Sequence, residues 1–223
     1  MSSAAPTTPA EYWDTYKPYR GEGEQPRPAA GAFEWTDVPG HGPGDELLGD
    51  PGTALDLGPG EGENAVFLAR QGVRVTAVDF SAVQVERARR FWADESGPVF
   101  VHDEVRAFLR REEQRFDAVY STWGAVWFTD PEELFPLVAA RLAPGGVFGF
   151  SHREPVVGQY GAQRMGGKWL EGRETELTVL RWQYTAEQWT GVLKRHGFVS
   201  VRAEVLPHPG RAAPGTLLVI ARA

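Results

Sequence analysis

The run from Thr53 to Ser81, TALDLGPGEGENAVFLARQGVRVTAVDFS, narrows the folds open to this chain more than any other stretch. Thr53-Ala54-Leu55-Asp56-Leu57 is a short, mostly apolar run bounded by Gly and Pro, which predicts a buried central strand of a parallel sheet. Gly58, Gly60 and Gly62 follow at every second position. Glycine there admits positive φ and lets a ligand approach without a Cβ in the way. Ala65, Val66, Leu68 and Ala69 give a helical apolar face closed by Gly72, and Val73 to Val78 form a second strand ending at Asp79. A strand, glycine turn, helix and second strand of this kind make a pocket for an adenosine-bearing ligand. Backbone amides gather near the helix start, and Asp79 can accept hydrogen bonds from both ribose hydroxyls.

Two ligand chemistries fit that pocket, and the spacing separates them. A dinucleotide site wants G-x-G-x-x-G, with its third glycine at position 63; that position is Glu63, and the glycine is Gly62. Glu61 and Glu63 would also repel a pyrophosphate, whereas Asp56 suits a ligand carrying an ammonium group. The pattern D-x-G-x-G-x-G, with Asp79 after the next strand, resembles the class I S-adenosylmethionine-dependent methyltransferases. The resemblance continues in order through FDAVYS at 116–121, L-x-P-G-G at 142–146 and two terminal strands at 199–206 and 216–221, and spans residues 50–223. It implies a doubly wound, Rossmann-like α/β fold: a mixed sheet of about seven strands with helices on both faces and a reversed C-terminal β-hairpin. The glycine-loop wording is also similar to the tellurite-resistance and thiopurine branch, which the C-terminal half does not follow.

Composition bounds the rest. With 223 residues the chain suits one catalytic domain over 51–223, preceded by an N-terminal helix and lid-like segment over 1–50. There is no apolar run of membrane-spanning length, and MSSAAPTTPA lacks the basic start and apolar core of a secretory signal. The absence of cysteine excludes a disulfide framework and Cys-ligated zinc and suits a reducing, cytoplasmic setting. A net charge of −7 argues against a nucleic-acid partner. No membrane partner and no metal are expected, and the oligomeric state is expected to be monomer or homodimer.

Around the glycine run, Thr8-Pro9-Ala10-Glu11 starts a helix that carries Tyr12, Trp13 and Tyr16 and ends at Pro18. Residues 18–51 are rich in Gly and Pro, with Phe33 and Trp35 embedded. These aromatics serve either a lid or a pin that fastens a loop to the core. Ser81 caps the helix after Asp79, and Phe80 is placed to lie against a purine ring or simply to pack. By resemblance, Asp103 accepts from the adenine amino group and Glu104 offers a backbone amide to the ring; Asp103 also suits the N-cap of the helix that follows. Ser121, Thr122 and Trp123 follow the fourth strand, where open α/β sheets bind ligands. Residues 152–182 look like an irregular insertion at the acceptor site.

The resemblance implies S-adenosyl-L-methionine as cofactor, S-adenosyl-L-homocysteine as product, and a small-molecule acceptor methylated at oxygen or nitrogen. An aromatic or amide-bearing secondary metabolite is expected. The alternatives are a protein, peptide or chalcogen acceptor, or a module that binds the cofactor without turnover. Cofactor contacts are expected from Asp56, Gly58, Gly60, Gly62, Asp79, Phe80, Asp103, Glu104, Ser121 and Tyr16. Acceptor contacts are expected from Trp123, Trp127, Tyr160, Tyr12 and Trp35. An acceptor that must lose a proton calls for a general base, and His152, after the fifth strand, is the candidate. Its alternative role is to hold a loop carbonyl.

Overall fold

The computed structural model describes residues 9–15, 27–168, 177–210 and 213–223. Tyr16 lies outside them. Helix α1 (Pro9–Asp14) is followed by a 3-10 turn at Asp45–Leu48. The main sheet then begins with β1 (Thr53–Leu57), α2 (Glu63–Arg70), β2 (Arg74–Asp79), α3 (Ala82–Phe91) and β3 (Val99–His102). Next come α4 (Val105–Arg111), β4 (Phe116–Thr122), α5 (Ala125–Phe128), α6 (Pro131–Arg141) and β5 (Leu142–Arg153). A hairpin, β6 (Gly161–Lys168) and β7 (Leu177–Gln183), precedes α7 (Ala186–Arg195), β8 (Val199–Leu206) and β9 (Thr216–Arg222).

Seven strands form one mixed sheet in the order β3-β2-β1-β4-β5-β9-β8. The first five run parallel, and β9 runs antiparallel to both β5 and β8, which is the reversed terminal hairpin. Strand β1 is buried along its whole length, as a strand covered on both faces must be. Leu55, Leu57, Val119, Phe148 and Phe150 pack on one face against Leu109, Phe135, Trp189 and Leu193. Ala54, Ala118, Tyr120 and Val147 pack on the other against Ala65, Val66, Leu68, Val85 and Ala88. The alternation along each strand sends neighbouring residues to opposite layers.

The segment before β1 belongs to that second layer. Ala30, Phe33, Trp35 and Leu48 are buried in it, and the Trp35 indole donates to the Gly44 carbonyl at 2.8 Å. Its ring lies so close over β5 that a Cβ on Gly149 would sit 2.7 Å from it. Of the two roles open to Phe33 and Trp35, the structure shows the pin. Trp35 therefore belongs to the core and not to the wall of an acceptor pocket.

Three other expectations change. Strand β5 continues through His152 and Arg153 because β9 pairs with it as far as Leu217 and Thr216. Within the 152–182 stretch, residues 161–168 and 177–182 belong to the paired strands β6 and β7, whose glycines and polar residues hide the strand pattern in the sequence. The N-cap of α4 is Glu104, not Asp103: its carboxylate accepts from the Ala107 amide at 3.0 Å, and Asp103 pairs with Arg111. Among the described residues no helix is long and apolar enough to cross a membrane.

Gly149→Ala is expected to destabilise the fold by about 1–3 kcal/mol through overpacking, since the added carbon meets both Trp35 and Ile220 within 2.8 Å. Urea unfolding followed by tryptophan fluorescence measures it, and an unchanged midpoint would contradict the packing described.

Candidate active site

The glycine turn joins β1 to α2 with positive φ at Gly58 (82°), Gly60 (57°) and Gly62 (88°). Two of the three are also forced by contact. A Cβ on Gly58 would lie 2.4 Å from the Ala125 nitrogen at the start of α5, and one on Gly62 would lie 2.6 Å from the Phe100 ring. Gly60 meets nothing within 4 Å, so the backbone there faces open space. Asp79 closes the far side: its carboxylate accepts from the Ser81 amide at 2.9 Å and from the Gly60 amide at 3.4 Å. Burial pushes its pKa up to about 6, the two amides hold it from going higher, and the nearby Asp14 carboxylate adds to the rise.

Asp56, at the fourth position of β1, is buried with one carboxylate oxygen lacking any partner. Burial pushes its pKa up to about 8, and the Asp79 and Glu63 carboxylates add to it. The Tyr120 phenol lies alongside and tempers the shift without reaching hydrogen-bond geometry, so its hydroxyl also lacks a partner. Two buried acids thus flank an open glycine turn, one already held by amides and the other uncompensated.

The rim is built from the strand ends. The Phe80 carbonyl contacts His102 Nε2 at 3.2 Å, and the Asp103 amide donates to the Asp79 carbonyl at 3.0 Å, so 79–80 and 102–104 sit side by side. Ser121 is spent internally: its hydroxyl donates to the Leu57 carbonyl at 2.7 Å and accepts from the Val126 amide at 3.2 Å, tying β1 to α5. Helix α1 lies beside Asp79, where Ser81 Oγ donates to Asp14 at 2.6 Å and the Gln84 side-chain Nε2 donates to the Trp13 carbonyl at 2.9 Å. Tyr12, buried on α1, packs with Val179 of β7, with Trp13, Phe128 and Met165 around them. Tyr160 is exposed at the turn before β6.

Trp123, with φ at 53°, turns the chain from β4 into α5 and donates from its indole to the Trp35 carbonyl at 3.2 Å. Its ring meets Trp127 edge-on at 5.7 Å. Trp127 in turn stacks on His152 at 5.3 Å with only 8° between the planes. His152 is fully buried, and its Nδ1 lies 2.7 Å from the Arg153 carbonyl. A carbonyl only accepts, so the proton sits on Nδ1 and the lone pair on Nε2, which has no partner. Burial pulls its pKa down to about 4, assisted by the Arg181 charge, so the ring is neutral at physiological pH. The geometry therefore gives His152 the loop-carbonyl bond and a free base nitrogen at once. Among the described residues no cluster of His, Asp and Glu could hold a metal.

Sequence reasoning missed Asp14, Tyr120 and Arg181. Tyr120 was legible only as a strand residue of FDAVYS, and nothing in the sequence spacing links the other two to the glycine turn.

A family model described as a methyltransferase domain matches residues 43–203. Trans-aconitate 2-methyltransferase of Paracidovorax citrulli is 36% identical over 96 residues, covering 42% of this chain and 35% of that protein. Its counterpart from Escherichia coli O1:K1 is 27% identical over 130 residues, covering 57% and 44%. The matches thus span less than half the length of these curated relatives. Among solved structures, the Burkholderia thailandensis 1,6-didemethyltoxoflavin N1-methyltransferase, bound to 1,6-didemethyltoxoflavin and S-adenosylhomocysteine, superposes with a TM-score of 0.58 at 26% identity, covering 80% of this chain and 73% of that one. An S-adenosylmethionine-dependent methyltransferase from Listeria monocytogenes reaches 0.62 at 19% identity over 80% and 94%, a likeness of fold. With the sheet order, the glycine turn between two buried acids and a family model covering most of the chain in agreement, the protein belongs to the class I S-adenosylmethionine-dependent methyltransferases.

Proposed function

We propose that the chain transfers the methyl group of S-adenosylmethionine to an oxygen or nitrogen of a small-molecule acceptor, with His152 taking the acceptor's proton. The observation that carries this reading is the buried, unpartnered Nε2 of His152, on a ring stacked against Trp127 of α5, the helix whose start meets Gly58 of the glycine turn. The three relatives with more than 25% identity named above, from P. citrulli, Escherichia coli and B. thailandensis, are methyltransferases named for small molecules, which supports the acceptor class.

The residues present fit the cofactor. Asp79 would accept from the ribose hydroxyls, and the open backbone at Gly60 admits the nucleoside against the turn. Asp56, whose burial is uncompensated in the protein alone, is offset by the ammonium group of the methionine end. Phe80, Asp103 and the Glu104 amide would border the adenine. When bound, the cofactor supplies an electrophilic methyl group on a positively charged sulfur. Trp123 and Trp127 wall the acceptor side and keep water from it, and holding the two partners aligned can supply roughly 7–11 kcal/mol of the barrier. His152 is neutral in the resting protein and presents its lone pair to an O–H or N–H. With a pKa near 4 it is a weak base, so it accepts the proton as the new bond forms and not in a prior equilibrium.

Three outcomes check this reading. Affinity for S-adenosylhomocysteine, measured by calorimetry, is expected to fall in two steps as pH drops: below about 8, where Asp56 gains a proton and no longer offsets the ammonium group, and again through about 6, where Asp79 gains a proton and can no longer accept from both hydroxyls. Asp79→Asn should bind at least about tenfold more weakly and lose the step near pH 6. Asp56→Asn should weaken cofactor binding yet stabilise the free protein. A buried acid with a raised pKa holds more protons folded than unfolded, so its contribution falls as pH rises from 3.8 to about 8, and an amide escapes that loss. The melting midpoint of the free variant at pH 8 should therefore rise, by about 2–4 °C for each kcal/mol recovered; a drop would contradict the burial argument. His152→Gln should keep cofactor affinity and lower turnover by about 10²–10⁴. An unaltered rate would remove His152 from the chemistry.

A further inference from the structure

Resting on the reading of the site just given, we infer that the acceptor carries a carboxylate that Arg181 holds, in addition to the O–H or N–H that faces His152. Val179, Arg181 and Gln183 alternate along β7 and so share one face of the β6–β7 hairpin. Val179 is buried against the α1 cluster, which places that face inward, toward α1 and α5. Three donors at this junction have no partner: Arg181 Nε, the Gln183 side-chain nitrogen and the Trp127 indole N–H. Gln183 and Trp127 are both buried, so water does not readily serve them.

Arg181 is the unusual member of the set. Its guanidinium lies 5.5 Å from the centre of the Trp127 ring, the same ring that stacks on His152. It forms no ion pair with an acid among the described residues, and Arg153 adds a second positive charge nearby. Burial and that neighbour both pull its pKa down, the opposite of what a structural ion pair does. A half-buried cation beside another cation, with no acid paired to it among the described residues and two idle donors beside its own free Nε, is a cost that an anionic ligand removes. A carboxylate matches the planar guanidinium fork, and its remaining lone pairs suit the indole and amide donors.

His152 then separates the anchor from the reacting atom. Its Nε2 can only accept, and a carboxylate has no proton to offer. The same acceptor must therefore bring a separate hydroxyl or N–H to the histidine, and the carboxylate survives into the product.

The test uses the protein loaded with S-adenosylhomocysteine and titrated with benzoate, phenyl phosphate and benzamide, three probes of similar shape and different head group. Binding is followed by calorimetry and by fluorescence of the tryptophans beside Arg181. Benzoate is expected to bind saturably and at least about tenfold tighter than benzamide or phenyl phosphate. Arg181→Gln should erase that preference and Arg181→Lys should keep part of it, while both variants bind S-adenosylhomocysteine as the parent does, which shows that they are folded. Equal binding of benzoate and benzamide, no binding of any probe, tighter binding of phenyl phosphate, or a benzoate affinity unchanged in Arg181→Gln overturns the inference. Failure to bind S-adenosylhomocysteine would instead overturn the proposed function.

Discussion

Two carboxylic acids are buried within a few residues of backbone at the carboxyl ends of β1 and β2, and the design of the molecule follows from what that burial requires. Asp79 is partly compensated by amides of its own neighbourhood, from Ser81 and the glycine turn. Asp56 is not, and its pKa near 8 shows how strongly the interior disfavours its charge. A protein that kept these groups only for stability would do better with apolar residues of the same size. Their retention makes sense beside a turn whose central glycine faces open space, where a ligand with hydroxyls and a positive charge supplies what the interior withholds.

Holding those acids in place needs a rigid floor, and several unrelated parts of the chain contribute to it. Gly58 brings the turn into van der Waals contact with the start of α5, and the Ser121 hydroxyl fastens the same helix to the end of β1. Trp35 fills the layer beneath β5, while its carbonyl accepts from Ser151 and from the Trp123 indole. The left-handed Trp123 is held from two directions, its indole on the Trp35 carbonyl and its backbone N–H on the Ser151 carbonyl, as a residue in that conformation must be. Above this floor Trp127 stacks on His152 and lies under Arg181, so α5, which meets the glycine turn, also meets β5 and the β6–β7 hairpin.

Much of the glycine-turn region and the sheet around it was legible beforehand because it is local. The alternate glycines, Asp79 at the strand end, the Ser81 cap and the terminal strands each follow from residues within one or two turns of each other. The acceptor side was legible only as a set of residue types. The hairpin was mistaken for an irregular insertion because its inward face carries Arg181 and Gln183 where a buried strand usually carries apolar residues. Trp35 was placed at a pocket wall because an aromatic in a Gly/Pro-rich segment has the same signature whether it covers a ligand or a core.

The sequence by itself determined the succession of strands and helices in the main sheet, the conformation of the glycine turn and the chemistry available at the end of each parallel strand. Short-range sterics, capping and periodicity suffice for those. Only the tertiary structure decided that His152 carries its proton on Nδ1, that its other nitrogen is buried without a partner, that Trp127 stacks on its ring and that Arg181 lies over Trp127. Those residues come from elements distant in sequence, β5, α5 and β7. Which faces of such elements meet is set by packing across the whole core, and packing leaves no periodic mark in the chain.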